Sequence, residues 1–285
     1  MMKKIVITLA FLTCLSSLSI AQEQVKLLKF KGIKGDLGVS WDRYQNMSLD
    51  WMKARTSQDG GFTDDLSEMK EGQVFYSSLG GNIGTQLLFT APKLGTDELV
   101  PEVRFGVSMT MGKEAIVDYS TSTYNYDPYS TSSTDYNSIM YCFVENETKL
   151  NGEVVWRVGD QKKVTFYGGL GANLSASFDN DLFVFDNYYN NRTPISNNFE
   201  AQSGFNSTEN VFKGKSVFYQ RLYVPIGVDL KMFKHLQGTI EYKIGGGLEQ
   251  VMGGSTSTFR TGEFNFGMRF NIEKNNTPSI LDYLN

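Results

Sequence analysis

The 285-residue chain has few of the residue types on which most enzyme and metal sites depend: one histidine, two cysteines and six prolines. Cys14 falls in an expected export leader, which leaves Cys142 alone and excludes both a disulfide framework and a thiolate metal site. The sole histidine, His235, lies in the turn Lys231–Leu236 and is expected to be a solvated turn residue. Without a second histidine there is no base of the usual kind for a hydrolytic triad, and acid–base work would fall to carboxylates alone. Beyond the leader no apolar run reaches about 18 residues, which excludes a membrane-spanning helix. Lys and Arg number 27 against 31 Asp and Glu, so the chain lacks the basic excess of a nucleic-acid binder and no nucleic-acid partner is expected.

Glycine and aromatics are abundant, with 28 Gly, 20 Phe and 15 Tyr, a mixture that favours strands and tight turns. Residues 1–21 have the form of a secretory signal. Lys3 and Lys4 precede the apolar stretch Ile5–Leu12, and Ser19-Ile20-Ala21 offers small residues for cleavage after Ala21.

Period-2 alternation dominates the rest of the chain and puts one residue class on each face of a strand. In Val164–Asp179, Val164, Phe166, Leu170, Ala172, Leu174, Ala176 and Phe178 oppose Gly, Ser, Thr, Tyr, Asn and Asp. The same pattern marks Val103–Met111, Leu222–Met232, Ile240–Leu248 and Gly262–Ile272, and more weakly Gly35–Tyr44, Gln73–Phe89 and Ile139–Val158. In the last of these, Ile139, Tyr141 and Phe143 have the opposite parity to Leu150, Val154, Trp156 and Val158, which implies a bulge or a strand projecting past the bilayer.

These eight strands are joined alternately by short and long connections. Thr90–Asp97, Gly159–Lys162 and Phe233–Leu236 are short. Gln45–Gly72, Glu114–Ser138 and Asn180–Ser216 are long and polar, and only Met252–Ser257 is brief among the connections at that end. Short turns at one end and long loops at the other suit an antiparallel barrel in an outer membrane. A soluble sandwich or lipocalin-like cup would show similar alternation. A polar face rich in Gly, Ser and Asn, and the gathering of long loops at one end, favour the membrane.

On these features the chain resembles the small eight-stranded outer-membrane barrels of the OmpA and OmpX type, porin-like proteins of the kind found in Bacteroidota. The resemblance covers roughly residues 35–272 and includes a last strand with aromatics at alternate positions ending near Phe270. It implies an all-β, up-and-down transmembrane barrel at 35–272, between a periplasmic segment at 22–34 and a periplasmic tail at 273–285.

Inward parity falls on Glu102, Arg104, Glu153, Arg157, Asp229, Lys231, Glu241, Lys243, Glu249, Glu263 and Arg269. Eight strands leave an interior just wide enough to be filled by side chains, so these charges are expected to form a salt-bridged plug rather than an ion path. No catalytic, cofactor-binding or metal-ligating residue is assigned, and no cofactor is expected. The function expected is a non-enzymatic membrane anchor or interaction protein that presents long aromatic and polar loops, alone or as one subunit of a larger outer-membrane complex. Its partners would be outer-membrane lipid and proteins that engage loops 114–138 and 180–216 or the tail. A narrow channel and a soluble ligand-binding cup are the alternatives, with a lipid-acting barrel enzyme third.

Overall fold

The alternating segments close into a ring. The computed structural model describes residues 28–45, 47–57, 66, 69–71, 75–91, 100–126, 131–158, 163–194, 202–254 and 256–272. Its elements are β1 (Lys29–Tyr44), α1 (Leu49–Arg55), β2 (Lys70–Glu71), β3 (Phe75–Thr90), β4 (Glu102–Tyr126), β5 (Thr131–Val158), β6 (Val164–Pro194), β7 (Gln202–Lys213), β8 (Val217–Lys231), β9 (Leu236–Val251) and β10 (Thr256–Asn271).

Strands β1, β3, β4, β5, β6, β8, β9 and β10 pair in that order, all antiparallel, and β10 returns to β1 with Leu37 opposite Phe266. Each strand of the ring is hydrogen-bonded on both sides, so the two open sheets of a sandwich are excluded. A closed ring also leaves no unpaired backbone edge, the condition for strands to stand in lipid.

Which face is apolar decides between a soluble cup and a membrane barrel. Leu37, Ile83, Leu150, Leu170, Leu174, Leu222, Ile226, Ile244 and Met268 all point outward, with Leu170 at 65% and Leu222 at 73% exposure. A lipocalin-like cup would hold such residues inside. On β6 the outward apolar positions from Phe166 to Phe178 cover about 40 Å of strand, or about 28 Å along the normal at a tilt near 45°, close to the height of an outer-membrane apolar band. Aromatics gather at the inner end of this belt, where Phe89 lies 5.5 Å from Phe30 and 6.2 Å from Phe105. The chain is an eight-stranded outer-membrane barrel.

Several boundaries differ from those read in the sequence. β1 begins at Lys29, so residues 29–34 belong to the barrel wall rather than to a segment preceding it. The stretches 114–138 and 180–216, expected as loops, are largely strand: β4 runs on to Tyr126, β5 starts at Thr131, β6 reaches Pro194, and β7 pairs with its outer half. Two register shifts mark where these strands leave the belt, one at Gly112 (φ 60°) in β4 and one at Asp179 (φ 54°) in β6. Each extra residue reverses the parity of its strand, which hid the continuation. β5 has no such shift; there Ile139, Tyr141 and Phe143 keep the inward parity of Lys149, and the inward side itself becomes apolar. The expected leader at 1–21 and tail at 273–285 lie outside the described residues.

Candidate functional site: a filled lumen, a capped mouth and a projecting sheet

The inward faces of the strands bring ten buried carboxylates against seven buried cations and the nearly buried Arg157 among the described residues, and α1 adds the buried Arg55. Isolated, such charges would be prohibitively costly in the lumen; paired and hydrogen-bonded, they can be accommodated. At the inner end Arg269 grips Glu102 with both terminal nitrogens, at 2.8 and 2.6 Å, while Arg104 reaches Glu102 at 2.9 Å. Arg157 pairs with Asp229. One level further, Glu241 forms an ion pair with Lys34 at 2.9 Å and accepts from Arg104 at 2.8 Å and the Tyr167 hydroxyl at 2.8 Å. Glu153 accepts from Lys243 at 2.8 Å and Tyr223 at 3.0 Å. Lys149 bridges Glu263 and Ser40 at mid-height. Toward the outside, Asp42 holds Lys113 at 2.6 Å and Arg221 at 2.8 Å, and Arg221 also meets Glu147 at 3.0 Å.

Glycine makes room for this packing. The Tyr223 ring lies across Gly171 and the Tyr167 ring across Gly227, where a Cβ would collide with each. Between Asn173, Arg221, Tyr223, Lys243 and Glu263 there is no space for a water molecule.

Ten of the eleven charges assigned to the lumen from parity lie there. Lys231 does not: it is the last residue of β8, at the inner end, and is exposed. The same parity places further charges in the lumen. Lys34, Asp36 and Asp42 alternate with Leu37, Val39 and Trp41, and Glu147 and Lys149 with Leu150, while Arg221 precedes Leu222. Lys113 lies beyond the shift at Gly112, where simple alternation fails.

The outer mouth is closed a second time. Ser48 caps α1, its hydroxyl accepting from the Trp51 amide at 3.4 Å. The helix lays Met52, with Met47 before it, into an apolar cluster formed by Tyr44, Val117, Ile139, Tyr141, Phe143, Leu182, Val217, Tyr219, Val251 and Phe259. This explains why Ile139, Tyr141 and Phe143 face inward: their partner is the helix and not lipid. Arg55 stacks at 3.5 Å over the Trp51 ring and pairs with Glu249. The backbone after the helix is pinned to the wall, with Lys215 donating to the Arg55 carbonyl at 2.6 Å and Ser57 to that of Lys213 at 3.0 Å. A cleft of about 300 Å³ remains outside the cap, lined by Tyr44, Gln45, Trp51, Thr256, Ser257 and Thr258.

His235 sits in the inner turn between β8 and β9, half-buried, its Nδ1 3.0 Å from the Asn271 carbonyl. It stands at the opposite end of the barrel from the capped mouth. No group of three or more His, Cys, Asp or Glu able to hold a metal ion occurs among the described residues.

Beyond the cap, β4, β5, β6 and β7 continue as an antiparallel sheet that projects outward from one side of the barrel, with the two-residue β2 on the other edge of β4 at Tyr119 and Ser120. From Phe178 at the top of the belt to Tyr189, β6 covers about 36 Å.

No protein-family model matches the chain, and no curated protein matches its sequence. Among solved structures it is similar to Neisserial surface protein A, at 14% identity over 86% of this chain and 99% of that one, with a TM-score of 0.33. It is similar as well to the outer membrane protein OprG from Pseudomonas aeruginosa, at 12% identity over 86% and 98% of the two chains, with a TM-score of 0.36. The attachment invasion locus protein Ail of Yersinia pestis, solved with the heparin analogue sucrose octasulfate, matches at 11% identity over 86% of this chain and all of that one, with a TM-score of 0.28.

Proposed function

We propose that this barrel is a non-enzymatic, non-conducting mount that holds the β4–β7 sheet in front of the outer membrane as a binding surface. The observation that carries the reading is the double closure of the pore. The lumen is filled by interlocked ion pairs, and α1 seals its outer mouth with an apolar core. A pore filled in this way favours a scaffold over a channel. The sheet, by contrast, is continuous with three barrel strands, so its position is fixed by the barrel wall and not by a flexible linker. Preorganised surfaces lose less entropy on binding, which suits a display role. The lone histidine, held by a backbone carbonyl at the inner turn, is badly placed to act on anything that reaches the sheet.

Planar-bilayer recording of the purified protein tests the reading. Silence at potentials where a known porin opens is the expected result. Discrete, reproducible openings would replace the mount with the narrow-channel alternative.

A further inference from the structure

The pairing register sorts the two faces of the projecting sheet. Tyr136 of β5 lies opposite Ser122 of β4 and Tyr189 of β6, and Tyr189 lies opposite Phe205 of β7. These positions form one row across four strands. Tyr124 stands two residues further out on the same face of β4, opposite Thr134. All four rings are open to solvent, from 38% for Tyr136 and Tyr189 to 64% for Tyr124 and 71% for Phe205. With strands about 4.8 Å apart, the row is about 14 Å long.

The row beneath it is Ser120, Ser138, Asn187 and Ser207, all uncharged, with Lys70 of β2 opposite Ser120 at its outer edge. The opposite face stitches the sheet together. Asp135 of β5 accepts from Asn125 of β4 at 3.3 Å and, on β6, from Tyr188 at 3.3 Å and from Asn190. The aromatic row therefore rests on a backbone braced from behind.

We propose that this row binds a neutral saccharide chain, with sugar rings laid on the faces of Tyr124, Tyr136, Tyr189 and Phe205. The C–H face of a sugar ring is apolar and its rim is hydroxylated. Aromatic faces bordered by serine hydroxyls and asparagine amides match both parts. Charge argues the same way: among the described residues the two rows hold one charge, the exposed Lys70 of β2 opposite Ser120 at the far edge of β4, and none beside the rings of β5, β6 and β7, so little there draws an anionic polymer or a basic peptide. Size argues against a protein: the platform offers on the order of 200 Å², against about 800 Å² per partner in a stable protein interface. Its height above the belt keeps it from lipid. The proposal rests on the reading of the barrel as a mount for this sheet.

Affinity electrophoresis of the full-length protein in detergent tests it, using native gels that contain laminarin, xyloglucan or galactomannan as neutral probes and dextran sulfate as the anionic one. Retardation by at least one neutral polysaccharide is expected, weakened about tenfold in Tyr136→Ala/Tyr189→Ala and largely restored in Tyr136→Phe/Tyr189→Phe, which keeps the rings. Each variant must keep the heat-dependent gel shift of a folded barrel; should the alanine pair lose it, Phe205→Ser at the sheet edge carries the same test. No retardation by any neutral probe, retardation untouched by these substitutions, or retardation by dextran sulfate alone would overturn the proposal. Capture of a protein partner that depends on the same rings would also overturn it while leaving the mount standing, whereas channel openings would remove the mount itself.

Discussion

Arg55, the last residue of α1, ends in a buried pair with Glu249 of β9, and this contact fastens the cap to the barrel wall. Both side chains are almost fully enclosed, at 2% and 1% exposure. The guanidinium is held from its other side by the Trp51 ring. The barrel's strand ladder does not depend on this pair, so its loss is expected to act on the cap alone.

Glu249→Ala leaves the Arg55 charge enclosed without its carboxylate, a change that costs about 3–5 kcal/mol when a buried pair is broken. The cap is expected to detach sooner than the barrel unfolds. Hydrogen exchange followed by mass spectrometry should show lost protection over residues 47–57 with the barrel strands unchanged. Replacing both partners, as Arg55→Met/Glu249→Met, should recover protection, because an apolar pair needs no desolvation. Unchanged protection in the single variant would mean that the apolar cluster holds the helix without the ion pair.

Arg221 is the most heavily engaged cation of the outer lumen, touching Asp42, Glu147, Ser175 and Asn173. Arg221→Ala leaves two buried carboxylates with Lys113 as their remaining shared cation. A loss of about 3–5 kcal/mol is expected in urea unfolding from liposomes. The exposed Arg43→Ala, by comparison, should stay within about 0.5 kcal/mol. Equal effects of the two would contradict a lumen held by ion pairs.

On the outer face, depth sets the cost of a charge. Leu170 lies inside the belt, two residues from its midpoint, and Phe178 at its upper edge. Leu170→Arg is expected to cost about 2–4 kcal/mol and Phe178→Arg about 0–1 kcal/mol, read as the difference in unfolding midpoint in lipid. A reversed order would place the bilayer elsewhere on the barrel.

The barrel was legible because lipid outside and charge inside force strict alternation, as in Val164–Asp179, where each residue class keeps to one face. The lumen was legible for the same reason, and Arg221 or Lys149 could have been added from the parity of Leu222 and Leu150. The projecting sheet was not legible. Both its faces meet water at the tip, so Tyr124, Tyr136 and Tyr189 alternate with Asn, Asp and Ser without an apolar partner, a pattern that passes for a polar loop. Gly112 and Asp179 then reverse the parity just where the strands leave the membrane. α1 is only seven residues long, yet its signals were present: Ser48 at the cap, Asp50 in the first turn, Lys53 and Arg55 in the last. What no periodicity could show is that Arg55 travels to Glu249, nearly two hundred residues away in the chain.

Cys142 offers a chemical probe of the projecting sheet. It lies on the outward side of β5, four residues past Asn146, which pairs with Phe178 at the top of the belt, between Ile116 of β4 and Phe183 of β6, and is 9% exposed. Burial, with the nearby Glu114 carboxylate adding to it, pushes the thiol up to about 11. Only about one thiol in a thousand is then ionised at pH 8, and the thiolate is the form that reacts. With Cys14→Ser leaving Cys142 as the single thiol, native protein is expected to resist maleimide at pH 8, to react about tenfold faster for each pH unit gained below 11, and to label at once after heat denaturation. The same shift bears on stability. The unfolded thiol ionises near 9.0 while the folded one does not, so the thiol favours the unfolded state as pH rises from 9 to 11. Rapid labelling of the native protein at pH 8 would mean that β4, β5 and β6 do not pack as a continuous sheet beyond the membrane, and the binding surface they form would fall with it.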